Sequence, residues 1–303
     1  MDSLVNAEPR QLGSLGEIGP LAFGLWRFTD ADRARTLIET ALGAGLNLID
    51  AADVYGLDWG GTGFGEAERL LGRVLAEAPQ LRDQMVLATK GGILPPVPYD
   101  SSAPRLRRAC EDSLERLGVD TIDLYQIHRP DLFTHPEEVA ATLSALRADG
   151  KIREVGVSNH TAAQVETLQA FLDFELVSTQ PEYSAAQLAP LRDGTFDLCL
   201  RTSMVPLAWS PLAQGALGGD AGERHEGARA ELLDVLDQLA EREWVDRATI
   251  ALAFVLAHPA RPVAIIGTQR PERIEQATRA LNVPLNRTDV YRIIAASDGA
   301  PLP

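Results

Sequence analysis

The sequence predicts an α/β protein in which eight parallel strands, each followed by a helix, close into one (β/α)8 barrel. Short apolar runs rich in β-branched residues alternate with longer segments of helical period, as in strand–helix units around a parallel sheet. Eight such runs occur in 303 residues, and barrels of this kind commonly reach that length as a single domain. The phosphate-binding glycines of an open dinucleotide-binding sheet follow its first strand, and no such pattern is found there.

The predicted strands and helices alternate along the whole chain. The strands cover residues 21–23, 46–49, 85–89, 121–127, 152–157, 176–179, 204–208 and 263–266. Helices are predicted over residues 32–42, 104–117, 136–146, 162–171 and 271–281, each opened by a proline or a polar cap. In the first helix, Ala34, Leu37, Ile38 and Ala41 recur at helical spacing. The chain is therefore expected to be one domain over residues 1–303.

The composition is that of an ordinary globular protein with a large excess of acids. A net charge of −15 argues against nucleic acid and anionic membranes as partners. The longest apolar stretch, residues 250–257, is too short to span a bilayer. Residues 1–10 carry acids and no apolar segment, so we expect a flexible tail, no secretory signal and a cytoplasmic location. Cys110 and Cys199 form no CxxC pair, and no Cys/His cluster has metal-ligand spacing, so no metal is expected.

Polar and ionisable residues follow the predicted strands at one level of the barrel. The second strand ends at Asp50 with Tyr55 five residues later, the third ends at Lys90, and the fourth ends at His128. The later strands are followed by Ser158 and Asn159, by Gln180, and by Trp209 and Ser210. Singly, these residues could be a helix cap, a packed aromatic, a solvated lysine or a loop histidine. Their shared register predicts an active site, because catalytic residues of such barrels lie at the C-terminal strand ends.

With these motifs the chain resembles the aldo-keto reductase family, in its bacterial-type oxidoreductase branch. The matching motifs are residues 50–56, 89–90, 127–130, 156–159, 209–212 and 266–268 with 271–273. The resemblance runs from about Gly13 to Ile294, and it implies a TIM barrel that transfers hydride between a nicotinamide cofactor and a carbonyl or alcohol.

The resemblance implies a catalytic tetrad of Asp50, Tyr55, Lys90 and His128. Tyr55 would donate a proton to the carbonyl oxygen as hydride arrives. A free phenol titrates near 10, and we expect the ammonium of Lys90 to lower the pKa of Tyr55. Asp50 would pair with Lys90 and fix its position, since a lone buried ammonium tends to lose its proton. His128 would hydrogen-bond the substrate oxygen and orient it.

The resemblance also implies the cofactor site. Its residues are Ser158, Asn159 and Gln180 for the nicotinamide carboxamide, Trp209 stacked on the ring, Ser210, Leu212 and Gly215 along the pyrophosphate, and Gly267, Thr268, Arg273 and Gln276 around the adenosine phosphate. Arg273 corresponds to the arginine that binds the 2′-phosphate, which favours NADPH over NADH. The family's Glu-Asn pair is Gln276-Ala277 here, and its lysine is Gly267. Arg270 could replace that lysine, or it could equally be a solvated residue at the helix entry.

Substrate contacts are expected from loops over the barrel mouth: Trp26, Leu57, Trp59, Ile93 and Arg129. The two tryptophans could line an apolar pocket or simply pack within their loops. Arg129 could bind a carboxylate substrate, although pairing with a nearby acid is the favoured interpretation.

The predicted function is the NADPH-dependent reduction of aldehydes or ketones to alcohols, with a small carbonyl compound as the substrate. Two alternatives stay open. The chain could bind the cofactor as a redox sensor or regulatory subunit with negligible turnover, or it could oxidise a sugar or alcohol with the same tetrad. The absence of a GxSxG motif argues against a hydrolase. The sequence does not predict the physiological substrate or the oligomeric state.

Overall fold

The computed structural model describes residues 3–58, 60–219 and 228–300, which form a closed barrel preceded by a short hairpin. The hairpin strands are β1 (Arg10–Gln11) and β2 (Glu17–Ile18). The barrel strands are β3 (Leu21–Gly24), β4 (Leu48–Asp50), β5 (Val86–Gly91), β6 (Ile122–Ile127), β7 (Ile152–Ser158), β8 (Ser178–Gln180), β9 (Val205–Ala208) and β10 (Val263–Ile266). Each barrel strand is parallel to the next, and β10 closes on β3. The eight predicted strands and the barrel class are confirmed.

Helices cover the outside of the barrel. They are α1 (Ala31–Gly43), α2 (Glu66–Glu77), α3 (Ala103–Leu117), α4 (Pro136–Ala148), α5 (Ala162–Gln169), α6 (Thr195–Thr202), α7 (Ala230–Glu243), α8 (Arg247–Leu256), α9 (Pro271–Ala277) and α10 (Arg287–Asp298). The five predicted helices correspond to α1, α3, α4, α5 and α9, and a 3-10 turn over Thr278–Asn282 follows the last of these. None of the helices in the described part of the chain is long and apolar enough to cross a membrane.

The first residues do not form the flexible tail expected from the sequence. The backbone N–H groups of Leu4 and Asn6 donate to the carbonyls of Leu285 and Leu256, at 2.7 and 3.1 Å. Arg10 is 3% exposed, and its guanidinium donates to the Arg261 carbonyl at 3.0 Å. These bonds fix residues 3–10 against the end of α8 and the segments that follow α8 and precede α10. Charge and hydropathy along the sequence do not reveal such contacts.

The hairpin closes the N-terminal end of the barrel. Leu12 and Ile18 are fully buried and pack into the lower barrel interior, which is apolar. That interior consists of Ala22, Leu48, Val86, Ala88, Leu124, Val205, Leu207, Val263 and Ile265. The hairpin turn is held to the barrel by the carboxylate of Glu154, which accepts the N–H of Ser14 at 2.8 Å.

The upper interior of the barrel is polar. Asp50, Lys90, Gln126, Ser158 and Gln180 are all buried near the C-terminal strand ends. Burial of so many polar groups is costly unless each is hydrogen-bonded, so this layer is where function is expected.

Candidate active site

Four predicted residues meet at the C-terminal end of β4, β5 and β6. Lys90 lies on β5 with no exposed surface, and its Nζ donates to Asp50 Oδ2 at 2.7 Å and to Tyr55 Oη at 3.0 Å. A third bond, at 2.8 Å, goes to the carbonyl of Ala51. The His128 ring stands edge-on to the Tyr55 ring, with centroids 5.9 Å apart. The structure therefore brings Asp50, Tyr55, Lys90 and His128 together.

The electrostatics of this group follow from its burial. Burial lowers the pKa of Lys90, but the Asp50 carboxylate and Tyr55 outweigh this effect and raise that pKa above its ordinary value. Burial, together with the positive charges of Lys90 and Arg129, holds the pKa of His128 well below its usual range. Lys90 is thus an ammonium at neutral pH, whereas the imidazole of His128 is neutral.

The expected lowering of the Tyr55 pKa is wrong in its net direction. Burial raises the pKa of Tyr55, and the Asp50 carboxylate adds to this effect, whereas Lys90 and Arg129 oppose it. The net shift of the pKa is upward because removing a phenolate from water costs more free energy than its attraction to the nearby ammonium provides. Tyr55 therefore carries its proton throughout the neutral range.

The predicted nicotinamide residues surround the same end of the barrel. Ser158 Oγ donates to the Gln180 carbonyl at 2.9 Å. Asn159, at φ 58°, donates to Ser158 Oγ at 2.8 Å and to the His128 carbonyl at 3.2 Å. Trp209 Nε1 donates to Asn159 Oδ1 at 3.0 Å. Backbone and side-chain bonds thus fix these side chains in one layer beside the tetrad.

Gln180, predicted to bind the nicotinamide carboxamide, uses the N–H groups of its side-chain amide inside the barrel. Its Nε2 donates to Asp50 Oδ1 at 3.0 Å and to Gln126 Oε1 at 3.3 Å. A primary amide has two N–H groups, so both are used inside the barrel. Of the side-chain amide, only the oxygen Oε1 is left to accept a hydrogen bond from a cofactor.

The predicted phosphate-binding residues lie beyond β9 and β10. Ser210 and Gly215 delimit a turn with positive φ angles of 50° and 107°, and Leu212 lies between them. Gly267 and Thr268 follow β10. Arg273 and Gln276 are exposed on α9, and Ala277, on the same helix, is buried. Arg270 pairs with the exposed carboxylate of Glu272 at 2.7 Å, as a solvated residue at the helix entry does.

The predicted substrate residues line the barrel mouth in part. Leu57 is 45% exposed, and Trp26 and Ile93 are half-buried. Trp59 lies outside the described residues. Arg129 is half-buried with its guanidinium carbon 5.8 Å from the centre of the Trp209 ring.

The favoured expectation that Arg129 pairs with an acid is wrong. It forms no ion pair with a carboxylate in the ranges that the structure describes. Glu182 is the acid it influences: burial raises the pKa of Glu182, and Arg129 acts in the opposite direction from beyond contact distance. Within the described residues, the group against the Arg129 guanidinium is therefore the Trp209 ring, and Glu182 acts on it only at longer range.

A second buried network, not predicted from the sequence, lies behind the tetrad. Glu68 of α2 is fully buried, accepts from Thr89 Oγ1 at 2.5 Å and pairs with Arg116 Nε at 2.6 Å. Asp53 lies nearby, and burial, followed by the charge of Glu68, raises the pKa of Asp53 well above its usual range. Asp53 lies between Asp50 and Tyr55 in the sequence. A second acid within this motif was the feature that could have indicated the network.

Gln126 is a further site residue that the sequence analysis did not select. It lies on β6, fully buried, and its Nε2 donates to Asp50 Oδ1 at 3.2 Å. The detectable signal was an amide in the middle of an apolar strand, Ile122–Ile127. No group of three or more His, Cys, Asp or Glu side chains in residues 3–58, 60–219 and 228–300 could hold a metal ion.

Comparison with known proteins agrees with the fold and identifies the family. Residues 20–298 match the Aldo/keto reductase family. The chain is 47% identical over 300 residues to a 6-dehydroglucose reductase of Novosphingobium aromaticivorans, covering 97% of each protein. It is 34% identical over 297 residues to a 6-dehydroglucose reductase of Agrobacterium fabrum, covering 93% of this chain and 95% of that protein.

A solved structure supports the same assignment. The aldo/keto reductase from Klebsiella pneumoniae, crystallised with NADP and acetate, superposes with a TM-score of 0.79 at 25% identity. The superposition covers 98% of this chain and 97% of the other. The chain belongs to the aldo/keto reductase family. It is an oxidoreductase of that family, acting on small carbonyl compounds.

Proposed function

We propose that the protein reduces aldehydes or ketones to alcohols with NADPH, and that Tyr55 donates the proton. The observation that carries this proposal is the use of the three N–H groups of Lys90. They are accepted by Asp50 Oδ2, by the Ala51 carbonyl and by Tyr55 Oη. Because Tyr55 accepts from Lys90, its own O–H proton must be directed elsewhere, and a substrate oxygen at the barrel mouth can accept it.

His128 suits the role of orienting the substrate oxygen. Its imidazole is neutral, so it has one N–H donor and one acceptor nitrogen. Its ring is edge-on to Tyr55, so an oxygen bonded to Tyr55 Oη also lies within reach of the imidazole. Two donors at one oxygen stabilise the negative charge that develops there in the transition state.

The residues present fit a nicotinamide cofactor with a 2′-phosphate. The cofactor supplies a hydride when bound. Ser158, Asn159 and the side-chain oxygen Oε1 of Gln180 would hold the carboxamide, with Trp209 against the ring. Arg273 is exposed and has no ion pair in the described part of the chain, so its guanidinium is free to bind phosphate oxygens. On a protein of net charge −15, an anionic cofactor depends on such local cations.

The substrate class we propose includes oxidised sugars such as 6-dehydroglucose. Two relatives that match over nearly their whole length carry the name 6-dehydroglucose reductase. A polyhydroxylated aldehyde requires polar contacts at the mouth, and Arg129 offers a donor there without a competing carboxylate partner in the described residues.

The test is steady-state turnover followed by cofactor absorbance, with 6-dehydroglucose and a panel of simple aldehydes and ketones. Tyr55→Phe keeps the aromatic ring and removes the proton donor, so kcat should fall by roughly 100- to 10,000-fold. NADPH binding, measured by fluorescence, should be retained. A Tyr55→Phe enzyme with the wild-type kcat would refute the proposed proton donor. Tight NADPH binding with no turnover of any substrate would favour the redox-sensor alternative.

A further inference from the structure

A triangle of amide and carboxylate groups lies beneath the catalytic tetrad. We propose that Gln126 is a positioning residue, which holds the carboxylate of Asp50 in the orientation that aims Lys90 at Tyr55. This inference rests on the proposed function and adds to it a residue with no contact to substrate or cofactor. It concerns the upper interior of the barrel, one layer below the reacting atoms.

The geometry assigns each oxygen of Asp50 a separate task. Oδ2 accepts from Lys90 Nζ at 2.7 Å. Oδ1 accepts from Gln126 Nε2 at 3.2 Å and from Gln180 Nε2 at 3.0 Å. The triangle closes because Gln180 Nε2 also donates to Gln126 Oε1 at 3.3 Å. A carboxylate bonded on one side only could rotate about its Cβ–Cγ bond, whereas bonds on both oxygens fix the carboxylate plane.

Gly156 leaves space for the side chains of Ser178 and Gln126. It is paired with Gln126 in the register of β6 and β7. A Cβ at position 156 would lie 2.1 Å from Ser178 Oγ and 3.3 Å from Gln126 Cγ. The absence of a side chain at position 156 thus relieves a clash with the Ser178 hydroxyl and a tight contact with the Gln126 side chain in a fully buried layer. Burying an amide costs free energy unless its bonds are made, and Gln126 recovers that cost only through Asp50 and Gln180.

Replacing Gln126 would affect the proposed proton donor Tyr55 through Asp50 and Lys90. Asp50 would keep only Gln180 on Oδ1, and its carboxylate would no longer be fixed against Lys90. Lys90 would then lose its alignment with Tyr55 Oη, because the bond to Asp50 helps to fix the direction of the N–H group that Tyr55 accepts. We expect a slower chemical step with cofactor binding intact, since Gln126 touches neither ligand.

The charged groups around position 126 are few. Lys90 is its register partner on β5, Asp50 faces it from β4, and Tyr55 lies beyond Lys90. Gly156 on β7 and Gln180 on β8 bring no charge. Two acids on neighbouring strands, Asp123 of β6 and Glu154 of β7, point away from this layer. Their carboxylates accept the N–H groups of Leu87 and Ser14.

The experiment compares Gln126→Met, Gln126→Glu and the control Ser178→Ala. Methionine has a similar length without donors, so kcat should fall by roughly 10- to 100-fold, the loss expected for a hydrogen bond to a charged group. KM for NADPH should stay at the wild-type value. Ser178 Oγ is buried in the same interior and has no hydrogen-bond partner in the described residues, so Ser178→Ala should leave kcat unchanged.

The glutamate variant supplies a readout that a merely structural role would not move. Two carboxyls in contact share a proton, so at low pH a protonated Glu side chain at position 126 can donate to Asp50 and restore the rate. The kcat of Gln126→Glu should fall as pH rises through a range in which the wild-type kcat is flat. Gln126→Met should be slow at every pH.

The outcomes separate this inference from the proposed function. An active wild type, with Gln126→Met equally fast and the Gln126→Glu pH profile unchanged, overturns the positioning role alone. Equal losses in kcat and NADPH affinity also overturn it, because they would indicate general damage to the barrel. A wild type that binds NADPH but has no turnover on any carbonyl overturns both proposals, since the network would then position nothing that reacts.

Discussion

Lys90 has no free proton donor in this site, and that fact decides what the residue can do. All three N–H groups are bonded, so the lysine cannot protonate a substrate. Its raised pKa, the result of Asp50 and Tyr55 outweighing burial, keeps it an ammonium. In the proposed reaction its contribution is therefore electrostatic: it would stabilise the Tyr55 phenolate as the proton leaves. By microscopic reversibility the same pair would serve alcohol oxidation, with the phenolate as the base.

The variant Arg273→Leu tests the preference for NADPH over NADH. It removes the guanidinium that would contact the 2′-phosphate. KM for NADPH should rise by roughly 10- to 100-fold, because a hydrogen bond to a charged group is lost. KM for NADH should not change, since NADH has no 2′-phosphate.

The matched control for this measurement is Arg270→Leu. Arg270 lies three residues earlier and is paired with Glu272 on the surface, so its removal should leave both KM values near those of the wild type. Equal effects of Arg273→Leu on NADPH and NADH would contradict the phosphate role.

At the level of elements, the strands and helices α1, α3, α4, α5 and α9 were predicted, whereas helices α2, α6, α7, α8 and α10 were missed. The strands follow from short β-branched runs, and α1 from a clean apolar stripe. Helices α2 and α6 were missed because each begins after a glycine with positive φ and has no side-chain cap. Helix α8 is apolar on nearly all sides, so its sequence shows no period. Helix α10 begins at the capping box of Asn286 and Asp289, a signal that was present and overlooked.

The candidate site was likewise predicted only in part. The grouping of Asp50, Tyr55, Lys90 and His128 could be predicted because each of them lies at or shortly after a strand end. The roles of Gln126 and the side-chain direction of Gln180 were not, because they depend on contacts across the barrel between β4, β6 and β8. Strand-end position is local in sequence, whereas such contacts join residues up to 130 positions apart. The predicted direction of the Tyr55 pKa shift was wrong for a related reason, because the burial of the phenol depends on the folded chain.

The loop after β4 and helix α2 give a prediction on pH and stability. Burial and Glu68 raise the pKa of Asp53, whereas Arg116 and Lys90 oppose them, and Asp53 Oδ1 has no partner in the described residues. The folded state therefore holds a proton that the unfolded chain releases above about pH 4. Stability then falls as pH rises, by up to about 1.4 kcal/mol per pH unit, until the folded carboxyl ionises.

Asp53→Asn removes this titration while keeping the shape of the side chain. The variant should gain stability over the wild type as pH increases from 5 to 8, and its own pH dependence should be shallower. Urea unfolding at several pH values measures both slopes. Parallel slopes would show that Asp53 is ionised in the folded protein.

For the whole molecule, the N-terminal segment completes the closed end of the barrel. Arg10 is the link: besides the Arg261 carbonyl it donates to the carbonyls of Asn6 and Pro262, at 3.0 and 3.3 Å. Burial, with the nearby charge of Arg261, lowers the pKa of Arg10 to about 10. A charge buried at this cost is retained only where several bonds compensate for it.

Arg10→Met should lower the Tm by several degrees, because buried carbonyls lose their donor at about 1–3 kcal/mol each. Arg35→Met is the control, since Arg35 forms only an exposed pair with Glu39 and should leave Tm unchanged. Calorimetry on both variants measures the difference. Equal Tm values for Arg10→Met and the wild type would show that the hydrogen bonds of Arg10 add nothing to stability.

Glycine at position 156 also constrains how this barrel can evolve. A Cβ there would lie 2.1 Å from Ser178 Oγ, so a lineage that acquires alanine at position 156 must first replace or move that serine. Gln126 Cγ, at 3.3 Å from the same point, would need to move by only a few tenths of an ångström. Positions 156 and 178 should therefore covary among descendants of a common barrel, with serine at position 178 found together with glycine at position 156. A large set of homologous sequences with many serine–alanine pairs would show that the interior accommodates both by another route.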